Sequence, residues 1–257
     1  MKTNRFVLSL YLFLIFCIAS CSANIEVRKK QGEASRNLGE AYMQQRDFTS
    51  ALREFLKAEK IYSKDPYLQN DLGLAYMAKE RLDLAIKHFK KAVKIKPDYA
   101  PAINNMGFAY VAKKDWDSAI TCFKEIVDDI LYATPHHPLT GLGGAYYNKQ
   151  EYKLAEKYYR DALNLEPNFI IALRGLGRTY MAVERDADAI AMLEKAVKNY
   201  PRSAESYFYL AKAYCLSREY KKAVSAYNKV VELAPDSPIA REAQKNANLL
   251  YSAEQDR

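Results

Sequence analysis

The chain has 257 residues, of which 49% are apolar and 27% charged, and its net charge is +8. That balance excludes wholesale disorder, and 9 Gly with 9 Pro exclude a low-complexity or collagen-like chain. Three His and four Cys leave little material for a metal site or a disulfide-stapled scaffold. At the N-terminus, Lys2 and Arg5 precede an uncharged run from Phe6 to Ala19. A short basic head before an uncharged, mostly apolar run of 14 residues reads as an export signal, since a spanning helix needs about 20.

The run closes on Ile18-Ala19-Ser20-Cys21. This tetrapeptide resembles the bacterial lipobox: a branched aliphatic residue, two small residues, and the cysteine that becomes the new N-terminus. The resemblance implies that residues 1–20 are a lipoprotein signal peptide, removed on export, and that Cys21 carries a covalent lipid. Burial contributes about 0.8 kcal/mol per CH₂ and one acyl chain holds only marginally, so the several chains of such lipoproteins anchor stably. Ser22, where an aspartate would signal inner-membrane retention, resembles the sorting of outer-membrane lipoproteins facing the periplasm. Residues 21–31 have little helical pattern and read as a lipidated tether. Loss of the signal removes Lys2, Arg5 and no acid, so the mature chain stays moderately basic. An exported chain of this charge points to anionic surfaces or acidic partners and away from nucleic acid.

The rest of the chain repeats. Leu38-Gly39…Tyr42 recurs as Leu72-Gly73…Tyr76, Met106-Gly107…Tyr110, Leu142-Gly143…Tyr146, Leu176-Gly177…Tyr180 and Leu210-Ala211…Tyr214, at spacings of 34, 34, 36, 34 and 34 residues. Nine residues after each tyrosine stands an alanine: Ala51, Ala85, Ala119, Ala155, Ala189 and Ala223. Four further on stands a large side chain: Phe55, Phe89, Phe123, Tyr159, Leu193 or Tyr227. Proline closes four units, at Pro97, Pro167, Pro201 and Pro235. Leu and Tyr four apart share one helix face, as do the alanine and the large residue four apart. Each unit is therefore two amphipathic helices around a polar turn such as Gln45-Arg46-Asp47, stopped where proline lacks the N–H to continue. One such pair cannot bury its face alone, so the pairs must stack.

The pattern resembles the tetratricopeptide (TPR) repeat, with departures at Ser63 and Leu131 (closing proline) and Ala211 (glycine). The resemblance implies an all-α fold, a right-handed α-solenoid of six TPR helical hairpins over residues 32–237 (32–65, 66–99, 100–135, 136–169, 170–203 and 204–237). Residues 238–257 supply a C-terminal capping helix and tail, with Ile239, Ala243, Ala247 and Leu250 near one face. The one break in phase is Asp128 to Pro138, which lengthens the third repeat by two residues. Its His136-His137, between Pro135 and Pro138, sits in a turn or opens repeat four.

No enzyme is expected. The His pair lacks a third ligand at diagnostic spacing. His88, beside Phe89, reads as a solvated surface residue. Gly141-Leu142-Gly143-Gly144 follows the repeat phase and lacks the strand and lysine of a phosphate loop. Cys122 and Cys215 lie too far apart along the repeats to pair. Catalytic, cofactor-binding, metal and small-molecule sites are thus expected to be absent.

TPR proteins line their concave groove with the second, fifth, ninth and twelfth residues of each first helix. The resemblance places a partner-binding groove on Tyr67, Asn70, Leu74 and Met77, then Asn104, Phe108 and Val111 beside Pro101. It continues through Thr140, Tyr147, Arg174, Arg178 and Met181 to Phe208 and Lys212. Asn70 and Asn104 stand one repeat apart and could hold a peptide backbone while apolar neighbours take its side chains; the bland alternative is that such residues pack against adjacent helices.

A lipobox followed by six TPRs is similar to the type IV pilus biogenesis lipoproteins of the PilF/PilW type, called pilotins. That family shares a longer third repeat with an acid, a leucine-tyrosine pair and a proline, here Asp128/Asp129, Leu131-Tyr132 and Pro135. The approach Asn104-Asn105-Met106-Gly107 resembles its Asn-Asn-aromatic-Gly segment. The resemblance implies a periplasm-facing outer-membrane protein that binds secretin subunits and assists their assembly. A general periplasmic TPR adaptor gathering peptidoglycan or other envelope enzymes is the alternative.

Overall fold

The computed structural model describes residues 24–129 and 133–255, so the signal-peptide reading of residues 1–20, the lipid on Cys21 and the Leu131-Tyr132 pair lie outside the described residues. Within them the chain is all-α. Residues 24–44 form α1. There follow α2 (Phe48–Ile61), α3 (Pro66–Ala78), α4 (Leu82–Ile95), α5 (Ala100–Ala112) and α6 (Trp116–Ile126). Then come α7 (His136–Asn148), α8 (Tyr152–Leu165), α9 (Ile170–Ala182), α10 (Asp186–Asn199), α11 (Ala204–Leu216), α12 (Tyr220–Leu233) and α13 (Pro238–Gln255). Two compact units divide the chain, Met1–Lys113 with α1 to α5 and Lys114–Arg257 with α6 to α13.

Local chemistry fixes the helix ends. Asp47, Asp65 and Asp115 accept the backbone N–H of Ser50, Tyr67 and Ser118 at the starts of α2, α3 and α6, each satisfying one of the donors a helix N-terminus leaves open. Pro66, at the first position of α3, gives up an N–H that had no partner in any case. The turns inside the hairpins share one device. Arg46, Glu80, Lys114, Gln150, Glu184 and Arg218 all take φ between 58 and 63°, the left-handed region usually left to glycine. The N–H that follows this residue closes the helix by donating back to the carbonyl of the repeat tyrosine, as in Asp47 to Tyr42 (3.0 Å) and Arg81 to Tyr76 (2.9 Å).

In the first unit α3 packs against α2, α4 and α5. In the second, α7 meets α9, α9 meets α11, and α11 meets α13, whereas α8, α10 and α12 have no such contact with one another. Within each unit the first helices of successive hairpins therefore share one closely packed inner face. The core between helices is built on the large residue of each second helix. Phe55, Phe89 and Phe123 are fully buried. Room for the first two comes from glycine: a Cβ on Gly39 or Gly73 would stand 2.4 Å from a ring carbon of Phe55 or Phe89.

Three expectations need correction. Residues 24–31, read as an unpatterned tether, are helical and exposed. They carry no helix breaker, and Arg28 Nε donates to the Ile61 carbonyl at 2.9 Å, pinning the extension to the end of α2. His88 is buried, for a reason given below. On α13 the covered face is Ala240, Ala243 and Ala247, with Ile239 and Leu250 only partly covered. Small side chains let α13 lie close against α11 and α12. His136 is the first residue of α7, and the Thr140 hydroxyl donates to the carbonyls of His136 and His137 within that first turn.

Candidate functional site

The inner face of the first unit is carried by α3 and α5. Tyr67, the second residue of α3, stays 44% exposed, although its ring is held. It meets Tyr99 edge-on at 5.1 Å, with Arg36 at 5.6 Å and Lys96 at 5.4 Å over its face. An ordered, exposed aromatic offers contact area at small entropic cost, because its freedom is already lost. One helical turn on, Asn70 is buried and committed: its Oδ1 accepts from Asn105 Nδ2 at 2.9 Å. Asn104, its counterpart on α5, is buried too, and its Oδ1 has no hydrogen-bond partner among the described residues. The two asparagines are therefore unequal, and Asn104 is the one with an unmet acceptor. Leu74 and Met77 are half-buried against the cluster of Ala85, Ile86, Phe89 and Ala109. Phe108 and Val111 are half-buried on α5, while Pro101 is exposed.

A charged knot lies beside this face. Arg36 on α1 bonds Glu40 (3.0 Å) and Asp65 (2.9 Å) and stands 3.7 Å from Asp71. Burial first, then the facing Glu40 carboxylate, pushes the Asp71 carboxyl up to about 7, against the pull of Arg36. From its ordinary 3.8 to about 7, the folded chain keeps a proton that the unfolded chain has released. Folding stability therefore falls as pH rises through that window and levels off above it. Asp71→Asn should remove the slope, with a gain over the parent of about 1–3 kcal/mol at pH 8 that narrows towards pH 4. Denaturant titrations at the two pH values check it, and a pH-independent difference would contradict it.

His88, behind this face, is the hub of a buried polar chain. Its Nδ1 lies 2.8 Å from Gln69 Oε1, and Gln69 Nε2 donates to Glu59 Oε1 at 3.1 Å and to the Ser63 carbonyl at 3.2 Å. Tyr76 stacks on the imidazole at 5.2 Å. Burial, only partly offset by Glu59, holds the His88 pKa below its ordinary value and favours the neutral ring. The residue joins α2, α3 and α4 rather than facing water.

In the second unit the inner face carries Tyr147, Arg174 and Arg178. Arg174 is paired with Glu205 at 3.1 Å. Arg178 instead lies between two rings, 4.7 Å from the centre of Tyr147 and 4.9 Å from that of Tyr209. Thr140 is buried and turned onto its own helix. Among the described residues no group of three or more His, Cys, Asp or Glu could hold a metal ion, and no helix is long and apolar enough to cross a membrane. The His136 and His137 rings lie tilted to each other with centres 4.5 Å apart, and both meet Phe169 edge-on, so they pack as an aromatic cluster. Cys122 and Cys215 remain thiols.

The expected groove residues are thus divided between the two units, Tyr67 to Val111 on the first and Thr140 to Lys212 on the second. The pairing of Asn70 with Asn105 and the sandwich around Arg178 had no signal in the repeat spacing. Such contacts link helices about 30 residues apart, and only the geometry of stacking shows them.

Helical hairpins with glycine-seated aromatics and a shared inner face define a repeat scaffold, and the chain belongs to the tetratricopeptide-repeat family. Profiles of that repeat match residues 25–66, 73–114, 137–169 and 174–238. Among solved structures the chain is similar to PilW, a widely conserved type IV pilus biogenesis factor, at 22% identity over 83% of this chain and 98% of that one, with a TM-score of 0.75. It is also similar to PilF of Pseudomonas aeruginosa, at 19% identity over 85% and 98%, with a TM-score of 0.71. A tetratricopeptide repeat protein from Parabacteroides merdae is 17% identical over 84% of both chains, with a TM-score of 0.71. At these identities the likeness is one of fold. No curated protein sequence matches the chain.

Proposed function

We propose that the chain is a non-enzymatic scaffold, held to the outer membrane by a lipid on Cys21 and facing the periplasm, that assists secretin assembly in type IV pilus biogenesis. A segment of the secretin subunit lies against the inner face of its first helices. The observation that carries the protein-binding part is the wall of α3 and α5, where ordered Tyr67 stands exposed on α3 and buried Asn104 on α5 keeps an unmet acceptor. Apolar Leu74, Met77, Phe108 and Val111 line the same wall, half-covered and able to take side chains from an extended segment. The pilus part is supported by the match to 98% of the length of both PilW and PilF. The membrane part is supported by the basic head, the apolar run and the Ile18-Ala19-Ser20-Cys21 ending.

The reading is tested in the native bacterium. Deleting the gene, or changing Cys21→Ser, is expected to remove detergent-resistant secretin multimers while secretin monomer persists, and to abolish twitching motility. Normal multimers in the deletion strain would refute the pilus role. An envelope defect with co-purifying cell-wall hydrolases would put a general periplasmic adaptor in its place.

A further inference from the structure

A cavity of about 640 Å³ opens on the second unit, between α9, α11 and α13. Met181, Leu216 and Leu249 contribute apolar walls, and Leu216 and Leu249 are 53% and 59% exposed at its mouth. Isolated exposed leucines are ordinary, but two that rim one concavity are an unfilled apolar surface. Two cations stand in the same cavity, Arg178 and Lys212, and no acidic side chain lines it. Neither cation has a carboxylate within ion-pair distance among the described residues, whereas Arg174, one turn before Arg178, is answered by Glu205. The Arg178 guanidinium is fixed between the rings of Tyr147 and Tyr209, and Lys212 Nζ lies 5.4 Å over Phe208. A guanidinium clamped in this way gives up little further freedom when an anion binds, and its planar fork is suited to a carboxylate.

The geometry points to a second recognition site, for an acidic peptide segment in which a glutamate or aspartate lies next to a bulky apolar side chain. The carboxylate pairs with Arg178 and Lys212, and the apolar side chain fills the space beside Met181, Leu216 and Leu249. Charge complementarity selects the acid, because half-buried Arg178 and exposed Lys212 are left without an opposite charge by any neutral segment. The cavity holds one or two side chains rather than a folded domain, and it lies on the face shared by the first helices, along which an extended chain can run. This inference rests on the reading of that face as protein-binding and adds to it the chemistry of one subsite.

The test uses the mature chain and a fluorescent decapeptide, blocked at both ends, of alternating leucine and glutamate, with binding followed by anisotropy. Exchange of every glutamate for glutamine is expected to weaken binding at least tenfold. Arg178→Gln and Leu249→Asp should each weaken it about tenfold, Arg178→Lys less, and Tyr67→Ala on the first unit not at all. Thermal melts confirm that each variant is folded. Equal binding of the glutamine peptide, or no effect of Arg178→Gln in a folded variant, overturns the site. Displacement by decanoate as readily as by unlabelled peptide overturns the peptide assignment in favour of a simple anionic amphiphile. Absence of peptide binding, with secretin multimers still lost in the deletion strain, sinks only this subsite. Peptide binding with multimers intact sinks only the pilus reading.

Discussion

Phe89→Ala is expected to cost the first unit about 3–5 kcal/mol. The ring is fully buried, pressed on Gly73 and enclosed by Ala85, Ile86 and Ala109. Gly73, Ala85 and Ala109 have no side-chain reach with which to relax into the void. Leu74, Met77 and Tyr76 pack around the same cluster, so the inner-face residues of α3 loosen with it. Stability in stacked repeats is a sum over neighbours, so the damage should stay local. Amide exchange is expected to quicken across α3, α4 and α5 and to remain slow in α9 to α12. Phe89→Leu, which keeps most of the volume, should lose much less. A cost below about 1 kcal/mol for the alanine variant would show that the ring is not the keystone of that hairpin.

Gly175→Ala is the second large effect. Alanine in a helix interior normally gains about 1 kcal/mol over glycine. Here the new Cβ would stand 2.3 Å from Cζ of Tyr159, whose ring is 5% exposed. The ring has little room to retreat, because Gly143 is also close, with 2.8 Å to Cδ1 for a Cβ placed there. Overpacking of this kind costs about 1–3 kcal/mol and outweighs the propensity gain. Gly144→Ala provides the contrast, since its Cβ would meet only the Tyr159 hydroxyl at 3.5 Å. That variant is expected to be neutral or slightly stabilised. Denaturant titration of both variants checks the pair, and a double variant with Tyr159→Leu should recover most of the Gly175→Ala loss. If Gly175→Ala and Gly144→Ala behave alike, the clamp around Tyr159 is not tight.

The contrast between Gly143 and Gly144 shows where sequence reading stops. Phase alone marks Gly143 as the position facing the aromatic of its own hairpin. It does not mark Gly175, which meets the ring of the preceding hairpin across α8 and α9. Spacing along the chain reports contacts inside a repeat well, because helix geometry fixes them. Contacts between repeats depend on how hairpins stack, and they include most of what was missed. His88 looks solvated until Gln69 is brought to it from α3. Asn70 looks available until Asn105 takes its acceptor. The helical stretch at 24–31 gives no amphipathic signal because all of it is exposed. The left-handed turn residues carry no glycine, so Arg46 and its five equivalents read only as polar.

We propose a secretin segment on the inner face of α3, and site-specific photo-crosslinking measures that contact most directly. A benzophenone amino acid in place of Tyr67 keeps an aromatic ring at an exposed inner position. In living cells it should give a secretin adduct on irradiation, while the same group in place of exposed Lys87, on the outer helix α4, should give none. No adduct from position 67, or equal adducts from both positions, would contradict the account.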